Sequence, residues 1–267
     1  MKLLFSEAQP DYAHYIFPYA VWAFPEPGET PADLFRGGFL PSSHQLDRFY
    51  LCRHLRVPLG KFVSSSENRR ILRKGTGLAV DLIPRAEFAF TADRRDFCQR
   101  YLRERFGAKA LSDERLDSLF RSPVTTHVLT LTDTVTGAEI GLVTLYLETP
   151  TMAFYYYAFY DLAWAGRFLG MFLMTTTVVR LAALGCEFLY LGTCYSENAR
   201  YKTQFAGVEF FDGFRWTGNL AELKFLLRRG QGGINGHLLE EPAFREGFGA
   251  SDLDALAAVS RFRGHAR

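Results

Sequence analysis

The stretch FLYLGTCYSENARYKTQF, residues 188–205, decides how this chain folds. It begins as a short apolar strand that ends in Gly-Thr, continues as a polar turn, and reaches a basic and aromatic triplet at residues 200–202. That order places charged and phenolic side chains at the carboxyl end of a strand, where α/β folds usually bind their ligands. The preceding residues, 165–184, predict one long helix that leads into this strand.

The length and composition are those of a folded, soluble protein. The chain has 267 residues, of which 48% are hydrophobic and 22% are charged, enough to build one large or two small domains around a sizeable core. Aromatic residues are over-used, with 25 Phe and 13 Tyr. Many of these rings belong in a core, and the surplus suits a protein that also lines a pocket with them.

Basic residues are concentrated in one part of the chain. The net charge of +2 gives no reason to expect a nucleic-acid partner, but residues 48–74 contain eight Lys or Arg and only one acid, Glu67. Five more arginines follow on a predicted helix: Arg94, Arg95, Arg100, Arg103 and Arg105. Such a region predicts a surface that faces phosphates, and the alternative is an ordinary solvated helix face.

Several classes of protein are disfavoured. The four cysteines, at positions 52, 98, 186 and 194, form no CxxC pair, which argues against a zinc site built from cysteine alone and against a disulfide framework. The start of the chain is too polar for a signal peptide, and no run approaches about 18 uninterrupted apolar residues. We therefore expect a cytoplasmic protein that does not span a membrane.

The pattern along the chain predicts three parts. Residues 1–60 are rich in Pro, Gly and aromatic residues and predict a small irregular N-terminal lobe. Residues 61–230 form the main domain, and residues 231–267 form a tail with a short helix. Ser64 is the predicted N-cap of the first helix of the main domain, which ends near Lys74.

The main domain contains both strands and helices. Its further predicted elements are a strand at 78–83, helices at 91–106 and 112–121, strands at 126–131, 138–147 and 152–160, the long helix, a strand at 187–191, a helix at 196–205, a strand at 208–216 and a helix at 219–229. This order predicts an α+β fold with a mixed, mainly antiparallel sheet flanked by helices, as in the acetyltransferase-like GNAT fold. In that fold the central strands splay apart, and the acyl donor and the amine meet in the cleft.

Four segments in the same order resemble a known family, the arginyl and leucyl aminoacyl-tRNA–protein transferases of the N-degron pathway. The segments are SSSENRRILRK at 64–74, FYYYAFYD at 154–161, FLGMF at 168–172, and LYLG at 189–192 followed by RYKTQF at 200–205. They are similar to the family's arginine-rich helix, its aromatic strand ending in Asp, its helix start and its Tyr-Leu-Gly and Tyr-Lys signature. The resemblance covers roughly residues 36–216.

The chain also departs from the family's pattern. The family has a cluster of cysteines where this chain has only Cys52, with His44 and His54 nearby. One thiol and two imidazoles at these spacings make a poor tetrahedral site, so we expect no metal. Thr193-Cys194 stands where the family usually has an aromatic residue, and either Asn198 or Ala199 stands in place of its Met. These departures concern the substrate more than the class of reaction.

The resemblance implies a reaction. An aminoacyl group would move from the 3′ ester of its tRNA to the N-terminal α-amine of an acceptor protein or peptide, with arginyl-tRNA as the first expected donor and leucyl-tRNA as the second. Because the ester is already activated, the enzyme need not form a covalent intermediate, and we expect no cofactor besides aminoacyl-tRNA as co-substrate. It has to align the amine and stabilise the oxyanion, and a base that removes the ammonium proton adds about 10²–10⁴-fold.

Three residues are predicted to be catalytic. Lys202 would neutralise a substrate carboxylate or the terminal phosphate of tRNA, Tyr201 would donate to the oxyanion, and Asp161 would hold the incoming ammonium or a basic aminoacyl side chain. Each has a plainer alternative, namely a surface lysine, a core tyrosine and an N-cap for the residues from Ala163 onward.

The predicted substrate-binding residues lie in the same segments or close to them. They are Arg69, Arg70, Arg73, Tyr157, Arg167, Gly170, Tyr195, Glu197 and Arg200. Arginines four residues apart share a helix face and suit tRNA phosphates or an acidic N-terminal residue. Arg167 and Gly170 open the long helix, where acetyltransferases bind the pyrophosphate of coenzyme A. The bulk of Phe172 is expected to crowd that group.

Two other functions fit the same pattern. One is an acyl-coenzyme A-dependent N-acetyltransferase of the GNAT superfamily, which predicts stabilisation by coenzyme A. The other is a non-catalytic protein that binds tRNA or degron peptides, which predicts salt-dependent tRNA binding without turnover.

Overall fold

The computed structural model describes residues 1–14, 16–107, 111–231, 236–248, 252–260 and 262, except for the side chains of residues 165–167. The strands are β1 Lys2–Glu7, β2 Tyr19–Phe24, β3 Phe39–Pro41, β4 Phe49–Leu51, β5 His54–Pro58, β6 Leu78–Pro84, β7 His127–Asp133, β8 Glu139–Glu148, β9 Met152–Tyr160, β10 Phe188–Thr193, β11 Glu209–Phe211 and β12 Trp216–Thr217. The α-helices are α1 Pro31–Arg36, α2 Ser66–Arg73, α3 Ala92–Phe106, α4 Asp113–Arg121, α5 Leu169–Ala183, α6 Leu220–Arg229, α7 Pro242–Gly247 and α8 Leu253–Val259. None of these helices is long and apolar enough to cross a bilayer, as judged over the described ranges.

The chain forms two compact units, each assembled from separated stretches of sequence. The central unit comprises His44–Leu46 and Val57–Gly192, and the terminal unit comprises Met1–Ser43, Asp47–Arg56 and Thr193–Arg267. These units are not contiguous along the chain, so they do not correspond to the three contiguous parts of the predicted division, which stays a prediction.

The sheet of the central unit is built from two hairpins and one crossover. Within this unit the strand order is β10-β9-β8-β7-β6. The pairs β6–β7, β7–β8 and β8–β9 are antiparallel, whereas β10 runs parallel to β9 after the crossover helix α5. This mixed, mainly antiparallel sheet with flanking helices confirms the predicted fold class, and the element order is that of a GNAT-like fold.

The parallel strands β9 and β10 pair over only three residues. Their parallel ladder begins with Met152 opposite Phe188 and ends with Phe154 opposite Tyr190. Both strands continue beyond that point, β9 as far as Tyr160. The ladder therefore stops at the position where the predicted fold requires the two strands to separate.

A bulge in β9 follows directly after this ladder. Thr144 of β8 lies opposite Tyr157, whereas Leu145 lies opposite Tyr155. Tyr156 is therefore an extra residue in β9, and it interrupts the regular alternation of side chains between the two faces of the sheet. As a result, the neighbouring residues Tyr156 and Tyr157 pack against the same core cluster.

That core cluster lies between the sheet and the helices α3 and α4. Its fully buried side chains come from both helices and from the strands β7, β8 and β9, and they include Cys98, Leu102, Leu116, Leu119, Phe120, Val128, Leu142 and Phe159. Both helices begin where the sequence predicts, because Thr91 and Ser112 accept hydrogen bonds from the backbone N–H groups three residues later.

The first helix of the central unit, α2, begins one residue later than predicted. Ser65, not Ser64, is its N-cap, since the Ser65 Oγ accepts from the N–H of Asn68 at 3.1 Å. The Asn68 Oδ1 in turn accepts from the N–H of Ser65 at 3.0 Å. Asn68 thus completes a capping box, because it lies three residues after the N-cap Ser65. Glu67 binds Arg70.

The predicted long helix is interrupted near its start. A 3₁₀ helix covers Leu162–Arg167, and Phe168 then adopts a left-handed conformation with φ 54° before α5 begins. The helix packs closely on the end of α2, where a Cβ added to Gly75 would lie 2.0 Å from the ring of Phe172. Glycine at position 75 is therefore required for this contact.

The N-terminal region of the terminal unit is more regular than predicted. The four strands form an antiparallel sheet in the order β1-β2-β4-β3, and α1 connects β2 to β3. This arrangement corrects the expectation of an irregular lobe. The strands are only three to six residues long, so too few residues alternate for a period to be visible in the sequence.

The C-terminal part of the terminal unit contains a hairpin where a single strand was predicted at residues 208–216. β11 and β12 pair antiparallel, and β11 also pairs with β5. The Oδ1 of Asp212 accepts from the N–H groups of Phe214 and Arg215, and Gly213 has φ 117°. Asp-Gly is a turn-forming pair because Asp caps the backbone and Gly adopts positive φ without strain.

Candidate functional site

The end of β10 and the turn after it hold one group of predicted site residues in the terminal unit. A 3₁₀ helix at Glu197–Gln204 follows the turn, close to the helix predicted there. It brings the Nζ of Lys202 to 3.0 Å from the carbonyl oxygen of Thr193. Lys202 is half-buried, and burial lowers the pKa of its ammonium. Within the described residues, no carboxylate forms an ion pair with it, so the ammonium can bind an anion.

Arg53 binds the turn at residues 194–195 through its side chain and its backbone. Its Nε donates to the carbonyl oxygen of Cys194 at 2.8 Å, and its N–H donates to the hydroxyl of Tyr195 at 2.7 Å. The N–H of Cys194 donates to the carbonyl oxygen of Arg53 at 3.0 Å, and the guanidinium lies 4.8 Å from the centre of the Tyr195 ring. Arg53 thereby fixes the predicted residue Tyr195. Arg53 itself is a residue of this site that the sequence motifs do not indicate.

The remaining residues of this group lie at the surface. Glu197 and Arg200 form an ion pair at 2.7 Å, three residues apart, with both side chains largely exposed. Each is therefore the other's partner in this structure, and a substrate would have to compete with that pair. Tyr201 is 48% exposed, which rules out the core tyrosine considered as its alternative. The roles proposed for the three residues stay predictions.

Cys52 and His54 lie side by side in the interior of the terminal unit. The Cys52 Sγ is 3.6 Å from the Nδ1 of His54, which is also 3.0 Å from the carbonyl oxygen of Cys52. Burial lowers the pKa of His54 to about 3 and raises the pKa of Cys52 to about 12. Both groups are therefore neutral, and no set of three or more His, Cys, Asp or Glu side chains in the described ranges is arranged to hold a metal ion. The absence of a metal stays a prediction.

In the central unit, Asp161 follows the bulged strand β9. Its Oδ1 accepts from the N–H of Ala163 at 2.9 Å and so caps the 3₁₀ helix at Leu162–Arg167. This is the capping role predicted as the alternative. The other carboxylate oxygen has no hydrogen-bond partner in the described part of the chain, so the role in holding an ammonium stays a prediction.

The three arginines of α2 differ in how they are held. Arg70 forms two hydrogen bonds of 2.6 Å with Glu67, and the Nη1 of Arg69 donates to the carbonyl oxygen of Ser64 at 2.5 Å. The exposed side chain of Arg73 forms no ion pair with any described residue. Arg69 and Arg73 share one face of the helix, and Arg73 is the guanidinium most available to a phosphate.

The predicted basic surface of α3 is partly neutralised. Arg94 binds Glu139 and Arg95 binds Asp117, each through two hydrogen bonds of 2.7–2.9 Å. These two arginines therefore hold α3 to β8 and α4 and do not face solvent as free charges. The other three arginines of this helix, at positions 100, 103 and 105, are exposed.

The start of the long helix gives the predicted glycine a structural role. A Cβ added to Gly170 would lie 2.9 Å from the hydroxyl of Tyr160, so the glycine lets that ring approach. The side chain of Arg167 lies outside the described residues. Phe172 is 5% exposed and packs on Gly75, so its ring belongs to the core. The expected crowding of a pyrophosphate by Phe172 stays a prediction.

Tyr157 is the predicted substrate-binding residue that lies at the bulge. Its ring stacks on Phe159 with 6.0 Å between ring centres and meets Tyr156 edge-on at 4.7 Å. Its N–H donates to the Oγ1 of Thr144 at 3.1 Å. The side chain is half-buried, and burial raises the pKa of its hydroxyl, so Tyr157 presents a neutral phenol.

Comparison with known proteins supports the resemblance found in the sequence. No protein-family model matches the chain. The chain is similar to an aspartate/glutamate leucyltransferase from Alkalilimnicola ehrlichii, with 26% identity over 200 residues that cover 69% of this chain and 80% of that protein. It is also similar to an aspartate/glutamate leucyltransferase from Chromobacterium violaceum, with 23% identity over 187 residues that cover 68% of this chain and 75% of that protein. The resemblance to the aminoacyl-tRNA–protein transferases is thus confirmed at low identity.

The similarity to solved structures covers a smaller part of the chain. The C-terminal domain of a putative lysylphosphatidylglycerol synthetase from Agrobacterium fabrum covers 54% of this chain, with 47% of that chain matched, 19% identity and a TM-score of 0.42. FemX covers 53% of this chain, with 53% of that chain matched, 9% identity and a TM-score of 0.41. Scores this low support no assignment of function.

Proposed function

We propose that this protein transfers an aminoacyl group from aminoacyl-tRNA to the N-terminal α-amine of an acceptor protein or peptide. The observation that carries the proposal is the similarity to two aspartate/glutamate leucyltransferases over about two thirds of the chain. It supports a transferase that uses aminoacyl-tRNA in general. The proposed location is the cytoplasm, where charged tRNA is found.

Leucyl-tRNA and arginyl-tRNA are the two candidate donors. The names of the relatives favour the leucyl group. The arginyl group, the first expectation from the sequence, would need an acid for its guanidinium, and the carboxylate oxygen of Asp161 that caps nothing is the predicted partner. The relatives' names favour leucyl-tRNA and the carboxylate of Asp161 favours arginyl-tRNA, so both donors should be tested in the same assay.

The acceptor is proposed to begin with an acidic residue. The names of the relatives contain aspartate and glutamate, and Lys202 supplies a half-buried ammonium without a carboxylate partner among the described residues. A desolvated cation of this kind binds a carboxylate more strongly than a solvated one does. Tyr201, with its exposed ring, is the proposed donor to the oxyanion, and Arg73 is proposed to bind tRNA phosphate.

The test is a transfer assay with labelled aminoacyl-tRNA. Purified protein is incubated with leucyl-tRNA or arginyl-tRNA and peptides that begin with Asp, Glu or Ala. Label is expected on the Asp and Glu peptides, and the matched control is the same Asp peptide with an acetylated N-terminus, which has no free amine. If none of the charged tRNAs yields labelled peptide, the proposed function is wrong.

A coenzyme A-dependent N-acetyltransferase is the second candidate, because the order of strands and the short β9–β10 ladder favour it equally. It predicts that coenzyme A raises the unfolding temperature, since a ligand that binds only the folded state stabilises it. A protein that transfers leucine or arginine and shows no shift with coenzyme A supports the first candidate. A protein that binds tRNA without transfer would support a non-catalytic binder.

A further inference from the structure

A polar cluster around His44 lies against the bulge of β9, and its members His44, Ser118 and Ser122 come from outside the four segments that carry the family resemblance. All of its members belong to the central unit. The ring of His44 meets the ring of Tyr156 edge-on, with 6.1 Å between ring centres. Tyr156 is the extra residue of the bulge, two positions beyond the end of the β9–β10 ladder. The imidazole therefore lies close to the point where β9 and β10 stop pairing.

Helix α4 holds the imidazole through a hydrogen bond to its Nδ1. The Nδ1 of His44 is 2.9 Å from the Oγ of Ser118. The Ser118 Oγ is 3.2 Å from the Oγ of Ser122, which accepts from the Nε2 of Gln45 at 3.2 Å. In one direction of this chain, His44 donates through Nδ1–H to Ser118, and Ser118 donates to Ser122. That direction leaves a lone pair on the Nε2 of His44, which has no hydrogen-bond partner among the described residues.

The surroundings keep the imidazole neutral and available. Burial, and to a smaller extent the charge of Arg115 on α4, lowers the pKa of His44. Burial raises the pKa of Tyr156 to about 12, so the ring beside it is a neutral phenol, as is Tyr157. Arg115 is the charged group that acts on all three side chains. A neutral imidazole can accept a proton at pH 7, whereas a protonated one cannot.

We propose that His44 is the base that takes the proton from the α-ammonium of the acceptor. The inference rests on the proposed function and adds a catalytic residue to it. The class of ligand is a primary ammonium, the protonated α-amine of the acceptor. None of the hydrogen bonds and ion pairs in the described chain places a carboxylate on His44, so the imidazole is the basic group of this cluster.

The step balances as follows. The ammonium gives one proton to the Nε2 of His44, and the neutral amine attacks the carbonyl carbon of the aminoacyl ester. The bond to the ribose 3′-oxygen breaks as the amide forms, and that oxygen takes the second proton of the nitrogen. His44 then releases its proton to water. The products are one amide, one free 3′-hydroxyl and one proton.

The experiment compares His44→Ala with the wild-type protein at two pH values. At about pH 6.5 only about 3–6% of the α-amine, with an ordinary pKa of about 7.7–8.0, is neutral, so the variant should lose about 15- to 30-fold in kcat/KM. At about pH 9 the amine is already neutral, so the gap should close to within about twofold. Hydrolysis of aminoacyl-tRNA without enzyme is subtracted at both values. His14→Ala, which removes an exposed histidine of the terminal unit, is the matched control.

Further variants separate catalysis from folding. Ser118→Ala removes the group that holds Nδ1 and should lower transfer at about pH 6.5 with the same recovery at about pH 9, whereas Ser118→Thr keeps the hydroxyl and should restore activity. Equal unfolding temperatures show that each variant folds. A loss in His44→Ala that is the same at both pH values, or no loss, would overturn the inference. No transfer by the wild-type protein would overturn the proposed function and the inference together.

Discussion

The side-chain ammonium of Lys202 donates a hydrogen bond to the carbonyl oxygen of Thr193, 3.0 Å away. The lysine thus ties the 3₁₀ helix at Glu197–Gln204 back to the last residue of β10. Thr193 accepts only one of the three protons of the ammonium, so a carboxylate can bind to the remaining ones. The contact places a partly desolvated cation at the carboxyl end of the strand, as the opening sequence stretch predicts.

Replacement of Lys202 should therefore affect substrate binding more than folding. We expect Lys202→Ala to lower kcat/KM for an Asp-initiated peptide by about 10- to 100-fold, the range of a hydrogen bond to a charged group. Lys202→Arg should retain part of the activity because it keeps the charge. Lys224→Ala, at an exposed position of α6, is the control and should retain full activity. If Lys202 binds the acidic side chain, Lys202→Ala should modify an Ala-initiated peptide as well as the wild type does. An equal loss of activity for the Asp- and Ala-initiated peptides would refute this role.

The arginines of α2 should contribute unequally to tRNA binding. Arg70 is already bound to Glu67, whereas Arg73 forms no ion pair with a described residue. We expect Arg73→Ala to reduce the slope of log affinity against log salt by about one, the effect of losing one phosphate contact. Arg70→Ala should change it less. Fluorescence anisotropy with labelled tRNA over a salt series measures both slopes, and a larger effect of Arg70→Ala would contradict the assignment.

Gly75 should tolerate no side chain while Phe172 is present. Because a Cβ there would lie 2.0 Å from the Phe172 ring, Gly75→Ala should lower the free energy of unfolding by about 1–3 kcal/mol through overpacking. Phe172→Leu in the same chain should recover part of that loss, since the two positions are in contact. Gly60→Ala, where no atom lies within 4 Å of the new Cβ, is the control. Urea denaturation of the wild type, Gly75→Ala, Phe172→Leu, the double variant and Gly60→Ala gives the five values, and strictly additive effects at 75 and 172 would argue against the contact.

Glu222 should make folding stability depend on pH. Burial and the neighbouring carboxylate of Asp212 raise its pKa from 4.5 to about 7, against the opposing effect of Arg215. The folded protein therefore keeps a proton that the unfolded chain has already released. The stabilisation is full below about pH 4.5 and is lost as the pH rises through about 7, by a few kcal/mol at about 1.4 kcal/mol per pKa unit.

The measurement is urea denaturation at about pH 5.5 and about pH 8, on either side of that titration. The free energy of unfolding of Glu222→Gln should fall less between the two values than that of the wild-type protein, because glutamine does not titrate. Glu246→Gln, at an exposed position of α7, should behave like the wild type. If the free energy of unfolding changes by the same amount between the two pH values in the wild type and in Glu222→Gln, Glu222 is ionised in the folded protein throughout this range.

The sequence predicts elements well where the signals are local and poorly where partners are distant. Thr91 and Ser112 cap helices that begin where they should, because a cap and its donor lie three residues apart. Arg53 and Tyr195 are 142 residues apart, and His44 and Ser118 are 74 apart, so no motif in either stretch could indicate these pairs. The missed residues of the candidate site are those held by such long-range contacts.

The interleaved composition of the two units has a consequence for synthesis on the ribosome. The central unit is complete once Gly192 has been made, whereas the terminal unit needs residues from both ends of the chain. Leu55 of β5 must wait for Phe210 of β11, its partner across the ladder, while all of residues 57–192 are translated. Since domains generally fold as units during translation, the central unit is free to fold first. Leu55 and Arg56 stay without their partners in β11 until Glu209 and Phe210 have been made.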